Sequence, residues 1–259
     1  VRIILNADDF GFNDDAVRAT IECLERGALT GATIMTTTAE SEQALAYARA
    51  HPEYSWGVHL TLSSDGPEGS VLGPERIPAL LDGDGKLWNG REVRRKAIWR
   101  QLPSDQIAAE MIAQIARVQD AGVTISHLDS HGHLHKFKVF RDGLEIAARH
   151  FGITRVRSAQ DMYVGIPWKT PTYWIGFVWR AAIRRRFRTT DHFYMPTGTR
   201  EASWVDAILA RLKPESDATI EVGVHPGYSG WQADERKAVI EFADKARAAG
   251  HRIVGWKDV

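Results

Sequence analysis

Apolar residues along the chain come in short β-branched runs alternating with longer stretches of helical spacing. Val1–Ala7 reads as a buried strand. Asn13 then fits an N-cap, and Val17, Ile21 and Leu24 recur at helical spacing until Gly27 stops the run. Gly31–Thr38 and Ser55–Leu62 read as strands, with an alanine-rich helix over Glu40–Ala50 between them. Ser104 is placed to cap a helix that buries Ile107, Met111, Ile115 and Val118 and ends at Gly122. Val123–Ser130 is the next strand, Val139–Phe151 a helix, and Thr154–Ser158 a short strand. Ser203–Leu212 reads as a helix, Ala218–His225 as a strand, Ala233–Ala249 as a helix and Arg252–Trp256 as a last strand. Strands alternating with helices imply parallel βαβ units, and about seven of them suggest a distorted (β/α) barrel. A doubly wound open sheet is the second choice.

Two stretches break the alternation. Residues 62–103 are rich in Gly, Pro and Asp and end in a basic segment with Trp88 and Trp99. Residues 159–200 hold Trp168, Trp174 and Trp179 and the run Arg184–Arg188. Loops of this length are usually functional or disordered. We read both as irregular insertions in one domain over residues 1–259, the first partly covering a site.

Composition narrows the function. With 33 basic and 33 acidic residues the formal net charge is zero, which argues against nucleic acid as the main partner. The lone Cys23 falls on a helix and reads as a buried thiol. No apolar run approaches the length of a membrane span and no signal-peptide pattern opens the chain, so a cytoplasmic protein is expected. A homodimer is the general prior for such proteins.

Chemically loaded residues then fall at the ends of four strands: Asp8 and Asp9, His59, the cluster His127-Leu128-Asp129-Ser130-His131-Gly132-His133-Leu134-His135, and His225. In a parallel barrel these ends share one mouth. Two adjacent carboxylates in one cavity repel and call for a cation. If the histidine cluster stays extended, His127, Asp129, His131, His133 and His135 share one face. One of them then ligates, and the others orient it or line the substrate groove. One carboxylate and two imidazoles, with no thiolate, suit Zn²⁺ or a similar divalent ion with open positions rather than a structural zinc. Arg157 is placed to keep Asp8 ionised, with a surface ion pair as the plain alternative. Trp88 and Trp231 are candidates for stacking on a sugar ring, or simply for packing.

The segments Asn6-Ala7-Asp8-Asp9-Phe10-Gly11, Gly57-Val58-His59-Leu60, His127-Leu128-Asp129-Ser130-His131 and Val224-His225-Pro226-Gly227 resemble the YdjC-like carbohydrate deacetylases. That family acts on chito-oligosaccharides and is distantly similar to NodB-type polysaccharide deacetylases. The resemblance implies Asp9, His59 and His131 as ligands of one divalent metal ion, Zn²⁺ or Mg²⁺. It implies Asp8 as general base and His225 as general acid. The implied substrate is an N-acetylated sugar or oligosaccharide, free or lipid-linked. Hydrolysis of an ester or phosphoester and non-catalytic saccharide binding are the competing readings. Phosphate chemistry would want a second metal or a glycine-rich cradle, and pure binding needs neither a base nor an acid.

Overall fold

The computed structural model describes residues 1–164, 171–196, 204–213 and 216–259. Seven parallel strands form one sheet: β1 (Arg2–Phe10), β2 (Gly31–Ile34), β3 (Ser55–Leu60), β4 (Ile125–Ser130), β5 (His192–Tyr194), β6 (Thr219–Val224) and β7 (Arg252–Ile253). The order is β4-β3-β2-β1-β6-β5, and β7 pairs with the start of β1. β2, β3 and β6 are buried along their whole length, as strands covered on both faces are. The sheet curls into an incomplete barrel. Between its edges β4 and β5, residues 154–158 make only single bridges, Leu128 to Val156 and Arg155 to Arg188. The strand expected over Thr154–Ser158 is therefore an extended seam rather than a full ladder.

Eight helices are described: α1 (Asp14–Glu25), α2 (Ser41–Ala50), α3 (Gly90–Ile98), α4 (Ser104–Asp120), α5 (Lys138–Phe151), α6 (Pro171–Arg184), α7 (Trp204–Leu209) and α8 (Gly230–Ala248). Asn13 caps α1 as the sequence suggests, its side chain accepting the Ala16 N–H at 2.8 Å. Ser104 does not cap α4; Pro103 takes that position and Ser104 is the first helical residue. The first insertion contains α3, which buries only Gly90, Val93 and Ala97 and so leaves a faint apolar signature. The second insertion contains α6 and β5. The apolar residues of α6 include the exposed Trp174, Ile175, Phe177 and Val178, which blurred its periodicity. Trp168 and Ser203 lie outside the described residues. Among the described residues, no helix is long and apolar enough to cross a membrane.

Candidate metal centre at the barrel mouth

Register brings the four loaded strand ends to one level. Ala7 pairs with Val224, so Asp8 and His225 leave adjacent strands side by side. His59 pairs with Asp129 on β3 and β4. The pairing of β1 with β2 slips between Ala7 and Phe10, and Asp9 has a left-handed φ of 58°. A non-glycine residue there is strained, a state found most often at functional sites. The bulge lets two consecutive carboxylates work at one end of a strand, where regular alternation would point them apart.

Asp9 Oδ1 lies 3.1 Å from His59 Nε2 and 3.0 Å from His131 Nδ1. The three donors all fall within 4.8 Å of one another. Donors about 2 Å from a common small cation are spaced by about 3 Å, so the set fits a divalent ion. The far nitrogen of His59 meets Asp129 at 2.7 Å, the carboxylate–imidazole pairing that fixes a metal-binding histidine. Burial disfavours a charged His59, yet Asp129 and Asp9 outweigh it and hold its pKa well above the ordinary value. A bound cation would answer the same demand for positive charge. Asp8, His59 and Asp129 form a second close group, but Arg157 already neutralises both of its carboxylates.

Arg157 is fully buried. Its guanidinium forks onto both oxygens of Asp8 and also pairs with Asp129 and Glu221. The contact with Asp8 lies in the core rather than on the surface. Burial raises the Asp8 pKa, but Arg157, His59 and His225 together hold it well below the carboxylate range. Glu221 fares differently. Burial outweighs Arg157 and pushes its carboxyl up to about 7, and one of its oxygens is buried without a partner.

The histidine cluster does not stay extended. β4 ends at Ser130, and His131–Lys136 turns as a 3-10 segment with Gly132 and His133 in the left-handed region. The shared face therefore breaks after Asp129, because the left-handed pair reverses the alternation. Asp129, placed by its spacing to orient a ligand or line the substrate groove, is 0% exposed and serves as partner to His59, Arg157 and Thr33. His127 points inward and stacks on Trp256 at 4.7 Å. Gly57 makes room for it, since a Cβ there would sit 2.6 Å from the imidazole. His135 is buried against Ser130, and His133 meets the Met195 sulfur at 3.2 Å.

His225 follows β6 with its side chain 20% exposed. Its backbone N–H donates to Glu235 at 2.7 Å, and its Nδ1 lies 3.4 Å from the same carboxylate. Burial opposes the charge on this ring, but Glu235, with Asp9 and Asp8, pushes its pKa up to about 9. Trp231 lies in the first turn of α8, and its ring is 5.4 Å from that of His225. Trp88 instead packs the first insertion: its indole N–H donates to Ala79 O and Lys96 lies over its ring. Glu68, also from that insertion, brings a carboxylate 3.6 Å from His131 Nε2.

Glu68, Glu221 and Glu235 were not singled out from the sequence. Glu221 alone left a trace, a lone acid within the apolar strand Thr219–Val224.

A curled parallel α/β barrel with a carboxylate–imidazole cluster at its mouth is thus the class that fold and site define. The chain belongs to the YdjC-like protein family, whose model matches residues 2–253. A carbohydrate deacetylase of Thermoanaerobacter pseudethanolicus is 26% identical over 260 residues, covering 99% of this chain and 92% of that protein. One from Brevibacillus brevis is 32% identical over 135 residues, 52% of this chain and only 50% of that protein's length. Among solved structures, a putative cellobiose-phosphate cleavage protein from Enterococcus faecalis V583 shares the fold at a TM-score of 0.82. It is 22% identical, with 99% of this chain and 98% of that one covered.

Proposed function

We propose that the protein is a metal-dependent hydrolase that removes the acetyl group from an N-acetylated sugar or oligosaccharide. The observation that carries this reading is Asp9 Oδ1 set 3.1 and 3.0 Å from the nitrogens of His59 and His131, beside an Asp8 that ligates nothing in that trio. Asp9, His59 and His131 would hold the ion, Zn²⁺ or Mg²⁺. A divalent ion there supplies a Lewis acid for the acyl oxygen and lowers the pKa of water.

The chain's own residues do the rest. Asp8 takes the proton of the attacking water. Arg157 donates to both Asp8 oxygens and keeps the group ionised and oriented; Asn6 also donates to Oδ1 at 3.2 Å, so Oδ2 is the oxygen with a lone pair left for the water. His225, protonated through its pairing with Glu235, gives a proton to the departing amine, which leaves poorly as an anion. Trp231, 40% exposed beside His225, offers a face for the sugar ring. The carbohydrate deacetylase names of the relatives support loss of an acetyl group from a sugar over phosphoester hydrolysis.

The test is acetate release from N-acetylglucosamine oligomers, with and without chelator. We expect release that a chelator stops and added divalent ion restores. Asp8→Asn should keep bound metal and lose turnover by about 10²–10⁴-fold. Loss of metal in that variant would exchange the roles of Asp8 and Asp9. Chelator-insensitive release, or none with any N-acetylated sugar, would overturn the reading.

A further inference from the structure

Helix α6 carries apolar side chains on the side it turns to solvent. Ile175 is 44% exposed, Phe177 46% and Val178 65%, with Trp174 beside them at 60%. A surface helix normally keeps such residues on its packed face. The packed face of α6 is already supplied. Gly176 and Ile183 are buried, Trp179 meets the Phe137 ring at 5.7 Å, and Lys136 lies 4.9 Å over Trp179. These contacts fix the inner face of α6 to the end of the 131–136 turn and leave the outer residues surplus to the core. The rings of Tyr173, Trp174 and Phe177 lie 5.1–6.2 Å apart, so the exposed groups are contiguous rather than scattered. Contiguous exposed apolar groups mark an interaction surface.

Charge says what that surface fits. Residues 171–190 contain Arg180, Arg184, Arg185, Arg186 and Arg188 and no acidic residue, in a chain whose formal net charge is zero. Arg180 pairs with Asp161, Arg184 with Asp191, and Arg186 with Asp142 and Glu145. Arg185 and Arg188 are exposed, and among the described residues no carboxylate lies in ion-pair range of either. Trp174, Val178, Ala181 and Arg185 are all exposed and follow at steps of four, three and four. The outer stripe therefore runs from apolar to basic along one side of the helix. An anionic lipid surface matches both ends: aromatic and aliphatic groups enter the acyl boundary while guanidinium groups meet lipid phosphates. A second copy of this chain matches poorly. Antiparallel pairing about a two-fold axis would set Arg185 and Arg188 on the partner's apolar half, desolvated and without a carboxylate, and parallel pairing would set basic on basic.

We propose that the outer face of α6 docks on a bilayer that carries anionic lipid, beside the turn that begins at His131. With 14 residues α6 is too short to span a bilayer and lies on its surface. The proposal concerns where the protein works and does not depend on the reaction at the metal centre.

The experiment is co-sedimentation of the full chain with two sets of vesicles, one of phosphatidylcholine and one in which about a third of the lipid is phosphatidylglycerol. It compares the wild type with Val178→Asp and with the double variant Arg185→Glu/Arg188→Glu. The substituted side chains are exposed, so all three proteins should share one urea midpoint. The wild type should bind the anionic vesicles at least about tenfold more tightly than the neutral ones, and less tightly as salt is raised. Each surface cation contributes about fivefold, so the double variant should lose about 25-fold or more. Val178→Asp should lose at least about tenfold, because a charge replaces an apolar group at the acyl boundary. No binding to either vesicle, equal binding to both, or either variant binding as the wild type does would overturn the proposal. Sedimentation velocity without lipid adds the remaining outcome: a dimer that Val178→Asp dissociates, with no vesicle binding, would overturn it in favour of a second copy.

Discussion

The two imidazoles that face Asp9 are held by different kinds of structure. His59 sits within β3, its side chain 2% exposed, with Asp129 on the next strand at 2.7 Å. His131 stands one residue past the end of β4, 21% exposed, on a turn that needs left-handed Gly132 and His133. Its outer partner is Glu68, from an insertion and at 3.6 Å. One half of the centre is thus built from sheet and a buried ion network. The other half is built from segments that the barrel does not dictate. The sheet half should set whether a cation can be held at all, and the loop half should tune access and substrate.

Breaking the buried network gives the largest expected effect. Arg157→Met would leave Asp8, Asp129 and Glu221 without their shared guanidinium. Removing one partner of a buried pair costs about 3–5 kcal/mol, and here three partners lose it. We expect a sharp loss of soluble protein and of urea midpoint. Arg157→Lys should rescue little, because an ammonium cannot reproduce the fork. A midpoint equal to wild type would mean that the sheet half does not depend on this network.

Asp129→Asn is the next test. It keeps the shape beside His59 but removes the charge that orients its ring. Loss of such a partner weakens metal binding by about 10–100-fold. Competition with a chromogenic zinc chelator would measure it, and unchanged affinity would remove Asp129 from the centre.

The same contrast explains what could be read from the sequence. β-branched runs and capping signals announce regular structure, so β1, β3, β4 and β6 were visible within a few residues. The residues at their ends were visible too, because the loaded positions of β1, β3 and β6 sit where a strand must deliver them. The turn after Ser130 was not: His131-Gly132-His133 is compatible with an extended chain, and only the left-handed φ at Gly132 and His133 ends the alternation. Of the two roles open to Asp129, orienting a ligand or lining the groove, its contact with His59 favours the first. Glu68 was hidden because it approaches His131 across 63 residues, and Glu235 because it reaches back to His225 from the following helix, ten residues on. A lone acid in a loop or a helix carries no local sign of its partner.

His225 offers a pH test on the more open side. Its folded pKa of about 9 lies above the ordinary histidine value of about 6.5. A raised histidine binds its proton more tightly when folded. The stability it contributes is therefore full below pH of about 6.5 and is lost as pH rises through about 9. Glu235→Gln should shrink that loss, so the wild-type advantage in urea midpoint should be larger at pH 6.5 than at pH 9.5. If His225 is the acid, the alkaline limb of kcat should also move to lower pH in Glu235→Gln. A limb that stays in place would argue that His225 does not donate the proton.

Glu68→Gln carries the smallest expected effect and tests the comparison most directly. At 3.6 Å the contact with His131 Nε2 is too long for a direct hydrogen bond. The Glu68 carboxylate is also engaged elsewhere, accepting from Gly66 N at 2.7 Å and from Ser64 Oγ at 3.3 Å. Its primary work is therefore to shape the insertion, and its buried carboxylate faces His131 without a direct hydrogen bond. We expect metal affinity to fall by less than about tenfold, below the Asp129→Asn loss measured in the same chelator assay. KM should move more than kcat, because the segment it holds lies on the open side of the centre. An affinity loss as large as that of Asp129→Asn would put Glu68 on equal footing with the sheet. The loop half would then be as rigidly prescribed as the barrel half, and the division between them would fall.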